Sequence, residues 1–265
     1  MPNATLATDD PPPFDPDQAQ RPVCVLAARH PAGAGGVHSH RADQLIYAIA
    51  GVLRVMTQDG MWVVPPQRAV WVPAGVAHRV DSARPFDLCT MYIAKSLRPA
   101  GSAFADRCHV VAVTPLLREM LRRAAGFGDR YARKGSESRL LAAAIDQIEG
   151  LDTIPLRLPM PTERRVRAVA EQLHGEPGIP HTLAEWGSRV GASRRTLERL
   201  FRAETGMSFV EWRGQARLLA ALQSLAAGSS VTQAAFDVGY ADVSSFITMF
   251  KRALGTTPRG YFNER

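Results

Sequence analysis

Between Val23 and Ala94 the apolar residues fall in short runs of β-branched and aromatic side chains cut by glycine and proline: VCVLAA, QLIYAIA, GVLRVMT, MWVVPP, RAVWVPA, HRVDS and FDLCTMYIA. Strands of that length between turn residues predict a β-sandwich or small barrel. Near Thr114 the period changes. LLREMLRRAAGF and SRLLAAAIDQIEGL repeat apolar residues every three or four positions, which predicts helices appended to the barrel. Their stripe, Leu116, Leu117, Met120 and Leu121 with Leu140, Leu141 and Ile145, either covers the barrel or pairs with a second copy, while Arg118, Arg122 and Arg123 read as a solvated outer face. Residues 152–161, DTIPLRLPMP, hold three prolines and no period, which disfavours helix and strand alike and marks a linker. A helix then starts near Thr162 and runs to Gly175.

From Thr182 onward one pattern occurs twice, as TLAEWGSRVGASRRTLERLFRAETG and as VTQAAFDVGYADVSSFITMFKRALG. Each copy is a short amphipathic helix, a turn at Gly191 or Gly239, and a longer helix opening on Ser193 or Asp242, residue types that suit an N-cap. These are helix–turn–helix patterns, the sequence form of a DNA-reading motif. In the first long helix Leu197, Leu200 and Phe201 share a face and pack on Leu183, Trp186 and Val190. The opposite face then carries Arg195, Arg199 and Arg202, with Thr196 and Glu198 on its flanks. Arginine suits guanine, and glutamate can accept from cytosine. The second long helix buries Phe246, Met249 and Phe250 and presents Val243, Ser244, Ser245 and Thr248, with Lys251 and Arg252 at its end as phosphate contacts. Between the motifs, Ser208 caps a helix that ends at Gly228. Its ~18 residues span ~27 Å, close enough to the ~34 Å groove repeat for one chain to read two successive major grooves.

Composition narrows the partner. With 46% hydrophobic residues, 265 positions suffice for two domains, and a net charge of +7 favours a polyanion. Cys24, Cys89 and Cys108 form neither a CxxC pair nor a dense framework, so each reads as a small buried hydrophobe in a reduced compartment. Residues 1–21 are rich in proline and acid, which predicts a flexible tail and gives no secretory signal, and no apolar run is long enough to cross a membrane. A cytoplasmic protein with double-stranded DNA as partner is expected. No Ser/His/Asp pattern, phosphate loop or HExxH supports hydrolase or nucleotide chemistry.

Two stretches of the barrel carry chemistry, HSHRADQLIYAIAG at 38–51 and PAGVAH at 73–78. His38 and His40 emerge on one face of a strand, and with His78 beside them three imidazoles would suit a transition metal. The counts resemble the cupin motifs: His38, His40, a fourth position at Gln44 and Gly51, then Pro73, Gly75 and His78. In metal-binding cupins that fourth position is acidic. The neutral amide of Gln44 is a poorer ligand, so no metal is assigned and three readings stay open: a divalent metal, a metal-free small-molecule pocket, or structural histidines. The candidate effector pocket comprises His38, His40, Gln44, Tyr47, Trp62, Trp71 and His78.

The spacing of Gly239, Tyr240, Asp242, Ser244, Phe246, Phe250, Gly255, Pro258 and Tyr261 resembles the signature of AraC/XylS-type transcriptional regulators. The resemblance implies base-reading positions at Arg195, Glu198 and Arg199 and at Ser244, Ser245 and Thr248, and a cupin-like effector domain before the DNA-binding one. The run VPPQRAVWVPAGVAH further resembles a drug-responsive subset of such regulators, which implies an efflux or detoxification gene as target. The expected fold is α+β: a cupin-like barrel at 22–100, a helical extension at 101–151, the linker, and an all-α DNA-binding domain at 162–265 with motifs at 182–204 and 231–254. The expected function is a small-molecule-responsive transcriptional activator that meets RNA polymerase, as a possible homodimer, and is not an enzyme. The alternatives are a metal-dependent cupin enzyme tethered to DNA and a purely architectural DNA binder.

Overall fold

The computed structural model describes residues 14–98 and 107–263. Eight strands come first: β1 Val23–His30, β2 Gly33–Ala34, β3 Ala42–Ala50, β4 Leu53–Thr57, β5 Gly60–Val64, β6 Arg68–Val72, β7 His78–Ser82 and β8 Phe86–Ala94. Then follow β9 His109–Ala112, helices α1 Pro115–Ala124 and α2 Ser136–Glu149, and two-residue strands β10 Thr153–Ile154 and β11 Arg157–Leu158. These build two antiparallel sheets, ordered β1-β8-β3-β6-β9-β10 and β11-β5-β4-β7-β2. Their inner faces share one apolar cluster that includes Ile46, Val55, Val63, Val70 and Leu88.

The outer face of the first sheet is buried as well. Leu45, Tyr47, Trp71, Cys89 and Met91 pack with Leu117 and Leu121 of α1 and with Leu141 and Ile145 of α2. The helical stripe therefore covers the barrel, although Leu116 is left exposed. Strand β3 is apolar on both faces for the same reason, since a strand covered on each side needs no alternation.

Three sequence expectations change here. The linker does not lack strands: β10 pairs with β9, and β11 with β5, so residues 152–161 are stitched into both sheets. Prolines at 155, 159 and 161 limit each strand to two residues, and each lies at a sheet edge, where the ladder is needed on one side only. The region expected to be a helical extension also contributes β9. The predicted flexible tail falls on residues 1–13, outside the described residues, and on 14–21, where Pro16–Gln18 form a short 3-10 turn capped by Asp15. Asp17 accepts from the Arg41 backbone N–H at 2.7 Å.

The C-terminal half is helical: α3 Arg164–Gly175, α4 Leu183–Val190, α5 Arg194–Thr205, α6 Phe209–Ala226, α7 Val231–Asp237, α8 Val243–Leu254 and α9 Pro258–Asn263. Side chains of Thr182, Ser193, Ser208, Ser230 and Asp242 accept from backbone N–H groups at the starts of α4 to α8. Gly191, Gly206 and Gly255 end α4, α5 and α8 in the left-handed conformation, which glycine adopts without strain. The helix expected to start near Thr162 begins at Arg164, with Glu163 as its cap. Thr162 instead donates from its N–H (2.6 Å) and its hydroxyl (3.1 Å) to Glu204 near the end of α5. Trp186, Phe201, Trp212, Phe246 and Phe250 form a core continuous with the barrel interior.

Candidate nucleic-acid interface and effector pocket

The packing of Leu197 and Phe201 into the core turns Arg195, Arg199 and Arg202 outward, and all three are exposed. Glu198 and Thr196 lie half-buried at the flanks, Glu198 within 3.5 Å of Arg202. The Thr196 hydroxyl sits 2.8 Å from the hydroxyl of the cap Ser193. Arg194, which sequence reasoning did not single out, is exposed in the same first turn. A face with this many guanidinium donors and one carboxylate can hydrogen-bond base edges and phosphates.

On α8, Ser244, Ser245, Thr248, Lys251 and Arg252 are exposed. Two of the three hydroxyls already donate locally. Ser245 gives its hydroxyl proton to Asp242 at 2.7 Å, and Thr248 gives its own to the Ser244 carbonyl at 2.9 Å. Each can still accept, so toward DNA they are suited to base amino groups more than to phosphate oxygens. Lys251 and Arg252 occupy the last turn of α8, where the helix dipole favours cations.

At the barrel mouth an isolated bridge brings two predicted histidines together. His38 and His78 exchange backbone hydrogen bonds of 2.9 and 2.8 Å, and the Gly75 N–H donates to the His40 carbonyl at 2.8 Å. Beneath them the buried Asp43 accepts from the Ala74 N–H at 2.8 Å and pairs with Arg98, which anchors the 73–78 loop to β3. One ring nitrogen from each of His38, His40 and His78 lies within 4.8 Å of the others. His38 and His78 bond their Nδ1 atoms to the carbonyls of Gly36 and Val76, both at 2.9 Å. Those bonds make Nδ1 the proton-bearing nitrogen and leave the Nε2 lone pair available. The His78 Nε2 is buried with no hydrogen-bond partner.

Burial pushes the His78 pKa down to about 4, with only partial opposition from its bond to the Val76 carbonyl, and burial also lowers His40. Both rings are neutral near pH 7, the form that ligates metals. Gln44 continues the network, with Oε1 3.0 Å from His40 Nε2 and Nε2 donating to the Thr90 hydroxyl at 2.9 Å.

Beside these groups opens a cavity of about 570 Å³ whose lining includes Phe14, Leu26, His38, Gln44, Ile46, Phe86, Leu88, Thr90 and Tyr92. Mostly apolar walls with a few converging polar groups suit a small organic ligand. Of the predicted pocket residues, His38 and Gln44 line it, and His40 and His78 adjoin it. Tyr47 and Trp71 do not: they face α1 and α2 on the other side of the sheet. Tyr47 is three residues from Gln44, and an odd separation in a strand reverses the face. Trp62 lies elsewhere too, in a second cavity of about 660 Å³ beside β9 to β11, where Arg157 stacks 5.5 Å from its ring centre. Phe14, Phe86 and Tyr92 were missed. The alternation along β8 that places Leu88, Thr90 and Tyr92 inside was available in the sequence, whereas a lone phenylalanine in a proline- and acid-rich stretch gave no signal.

Residues 22–145 match the AraC-like ligand binding domain, and residues 186–264 match a helix–turn–helix domain. The HTH-type transcriptional regulator NimR of Escherichia coli is 34% identical over 225 residues, which is 85% of this chain and 81% of that protein. RipA of Corynebacterium glutamicum, also an HTH-type transcriptional regulator, is 41% identical over 100 residues, 38% of this chain and 30% of that one. Among solved structures, ToxT from Vibrio cholerae aligns over 91% of this chain and 98% of its own with a TM-score of 0.38 and 11% identity.

Proposed function

Because the chain belongs to the AraC-type family of DNA-binding transcriptional regulators, we propose that it is a sequence-specific activator controlled by a small molecule bound in the barrel mouth. The carrying observation is the pair of surfaces on one chain: an exposed guanidinium face on α5, and an apolar cavity of about 570 Å³ lined by Gln44 and Thr90, which are bonded to each other. Arg195, Glu198 and Arg199 read bases, Ser244, Ser245 and Thr248 accept from a second groove, and Lys251 and Arg252 hold phosphate. The effector is a compact, largely apolar molecule with a polar group placed for Gln44 and Thr90. Its target is an efflux or detoxification gene, as the resemblance of residues 64–78 implies, and the protein acts there with RNA polymerase as a homodimer.

Selection of bound duplexes from a random library, followed by a thermal-shift screen of small aromatic compounds, tests this reading. An enriched motif whose affinity changes with a compound that raises Tm supports it. Binding with no sequence preference would leave the architectural alternative.

The buried, unpartnered Nε2 of His78 favours a second reading of the same mouth, in which His38, His40 and His78 hold a divalent transition metal. The donor set fits, with the His38 and His78 rings oriented by backbone carbonyls and the His40 ring by the Gln44 amide oxygen. A bound cation would supply a fixed positive charge beside the cavity, able to draw a carboxylate or phenolate group of the effector. Elemental analysis of tag-free protein decides it: about one metal per chain, lost in His78→Ala, supports the reading, and substoichiometric metal with intact effector response overturns it.

A further inference from the structure

The chain leading into the first helix–turn–helix motif touches the turn of the second, backbone against backbone. Gly239 has φ +82, and a Cβ built there would lie 2.8 Å from the Cα of Gly178. A Cβ on Gly178 would lie 2.8 Å from the Asp237 carbonyl oxygen. Neither glycine can take a side chain without moving the other segment, and Gly239 also needs the left-handed region.

Two arginines of α6 close the contact from the side. Arg213 donates to the carbonyls of His181, at 3.1 Å, and of Ile179. Arg217 donates to the carbonyl of Pro177 at 3.2 Å, and its guanidinium lies 5.4 Å from the centre of the Tyr240 ring. Half-buried guanidinium groups that bond backbone carbonyls act as crosslinks, because a fixed fork of donors holds several loop atoms at once. Here they tie residues 177–181 to α6 and α6 to the turn at Gly239 and Tyr240.

The geometric consequence concerns the placement of α5 against α8. Two bodies joined only through the ends of one rod can pivot about each end. A second contact between the same bodies removes that freedom, and the segment 177–181 resting on Gly239 supplies it. We propose that Arg213, Arg217 and the Gly178 to Gly239 contact are positioning elements that fix α5 relative to α8, and thereby set the base-pair spacing the protein accepts between its two contact segments on DNA. The inference rests on both helices meeting DNA, as proposed above.

The test uses the full-length chain and a duplex enriched from a random library by the wild-type protein. Footprinting on a duplex carrying a single half-site, the stretch contacted by one chain, first locates the protected segments, and one or two base pairs are then inserted between them. Wild-type affinity falls about tenfold or more with one inserted pair, since each pair rotates the second segment by about a tenth of a turn. The double variant Arg213→Gln with Arg217→Gln, checked for wild-type helicity, binds the original spacing more weakly and loses most of that insertion penalty, to within about threefold. If the double variant does not fold, Arg217→Met, which keeps the apolar stem, replaces it. An unchanged insertion penalty in a folded variant overturns the proposal. A single protected segment with the wild type overturns the two-helix reading itself.

Discussion

Trp212, on the helix that joins the two DNA-binding motifs, donates its indole N–H to the carbonyl oxygen of Pro159 at 2.7 Å, and so fastens α6 to the segment that carries β11. Gln215, one turn along, donates to the Arg157 carbonyl at 3.1 Å. From the other side, the Arg68 guanidinium of β6 lies 5.0 Å from the ring centre of Tyr261 in α9. The helix that spaces α5 and α8 is thus bonded to the barrel that holds the cavity of about 570 Å³. Phenylalanine at 212 fills most of the same space but leaves Pro159 unbonded. Trp212→Phe is expected to lower stability by about 1 kcal/mol in urea unfolding and to reduce the effector-induced change in DNA affinity. A full effector response in the variant would separate this bond from signalling.

Gly60 tests the same junction from the barrel side. It ends the β4 to β5 hairpin at φ +146, and a Cβ there would meet the Leu158 carbonyl at 2.6 Å. Gly60→Ala is expected to push β11 off its sheet edge and cost on the order of 1–3 kcal/mol, read as a lower Tm. A variant as stable as the wild type would show that β11 contributes little.

The exposed arginines and the α8 cations should fail differently. Arg199→Ala is expected to lose about 1–3 kcal/mol of discrimination at one or two base pairs. Lys251→Ala is expected to weaken binding to all duplexes and to reduce the slope of log K against log salt. Competition assays at two salt concentrations distinguish them, and equal losses on specific and random DNA for Arg199→Ala would remove its reading role.

His174, half-buried on α3, gives the two halves a dependence on acidity. Burial lowers its pKa and the positive Arg54 adds to that, while Asp81 opposes. The unfolded chain therefore binds this proton at a higher pH than the folded one. Stability from this group is fully present above the ordinary histidine range and falls as pH drops through it. Unfolding free energy measured from pH 7.5 down to pH 5.5 is expected to decline less steeply in His174→Gln than in the wild type. Parallel declines would assign the acid sensitivity to other groups.

The helix–turn–helix elements were readable because their punctuation is local: Thr182 with Glu185, Ser193, Ser208 with Glu211, and the left-handed Gly191 and Gly206 each act within a turn of the helix they bound. The convergence of His38, His40 and His78 was readable from spacing and motif together. What escaped depends on partners distant in sequence. Residues 153–154 and 157–158 are strands only because β9 and β5 offer them an edge. Tyr47 and Trp71 were misassigned because a strand buried on both faces gives no hydrophobic alternation to say which side holds the pocket.

The seam formed by β10 and β11 has a consequence for how the molecule comes apart. Each strand contributes two residues to a sheet edge, so releasing the seam breaks a few ladder hydrogen bonds and uncovers the fully buried Leu156 and Leu158, which belong to the core shared by the barrel and the helices. Amide hydrogens of residues 153–158 should exchange with solvent deuterium before those of β3 or α6, and a protease that nicks this short stretch should leave two fragments still associated through that core under native conditions.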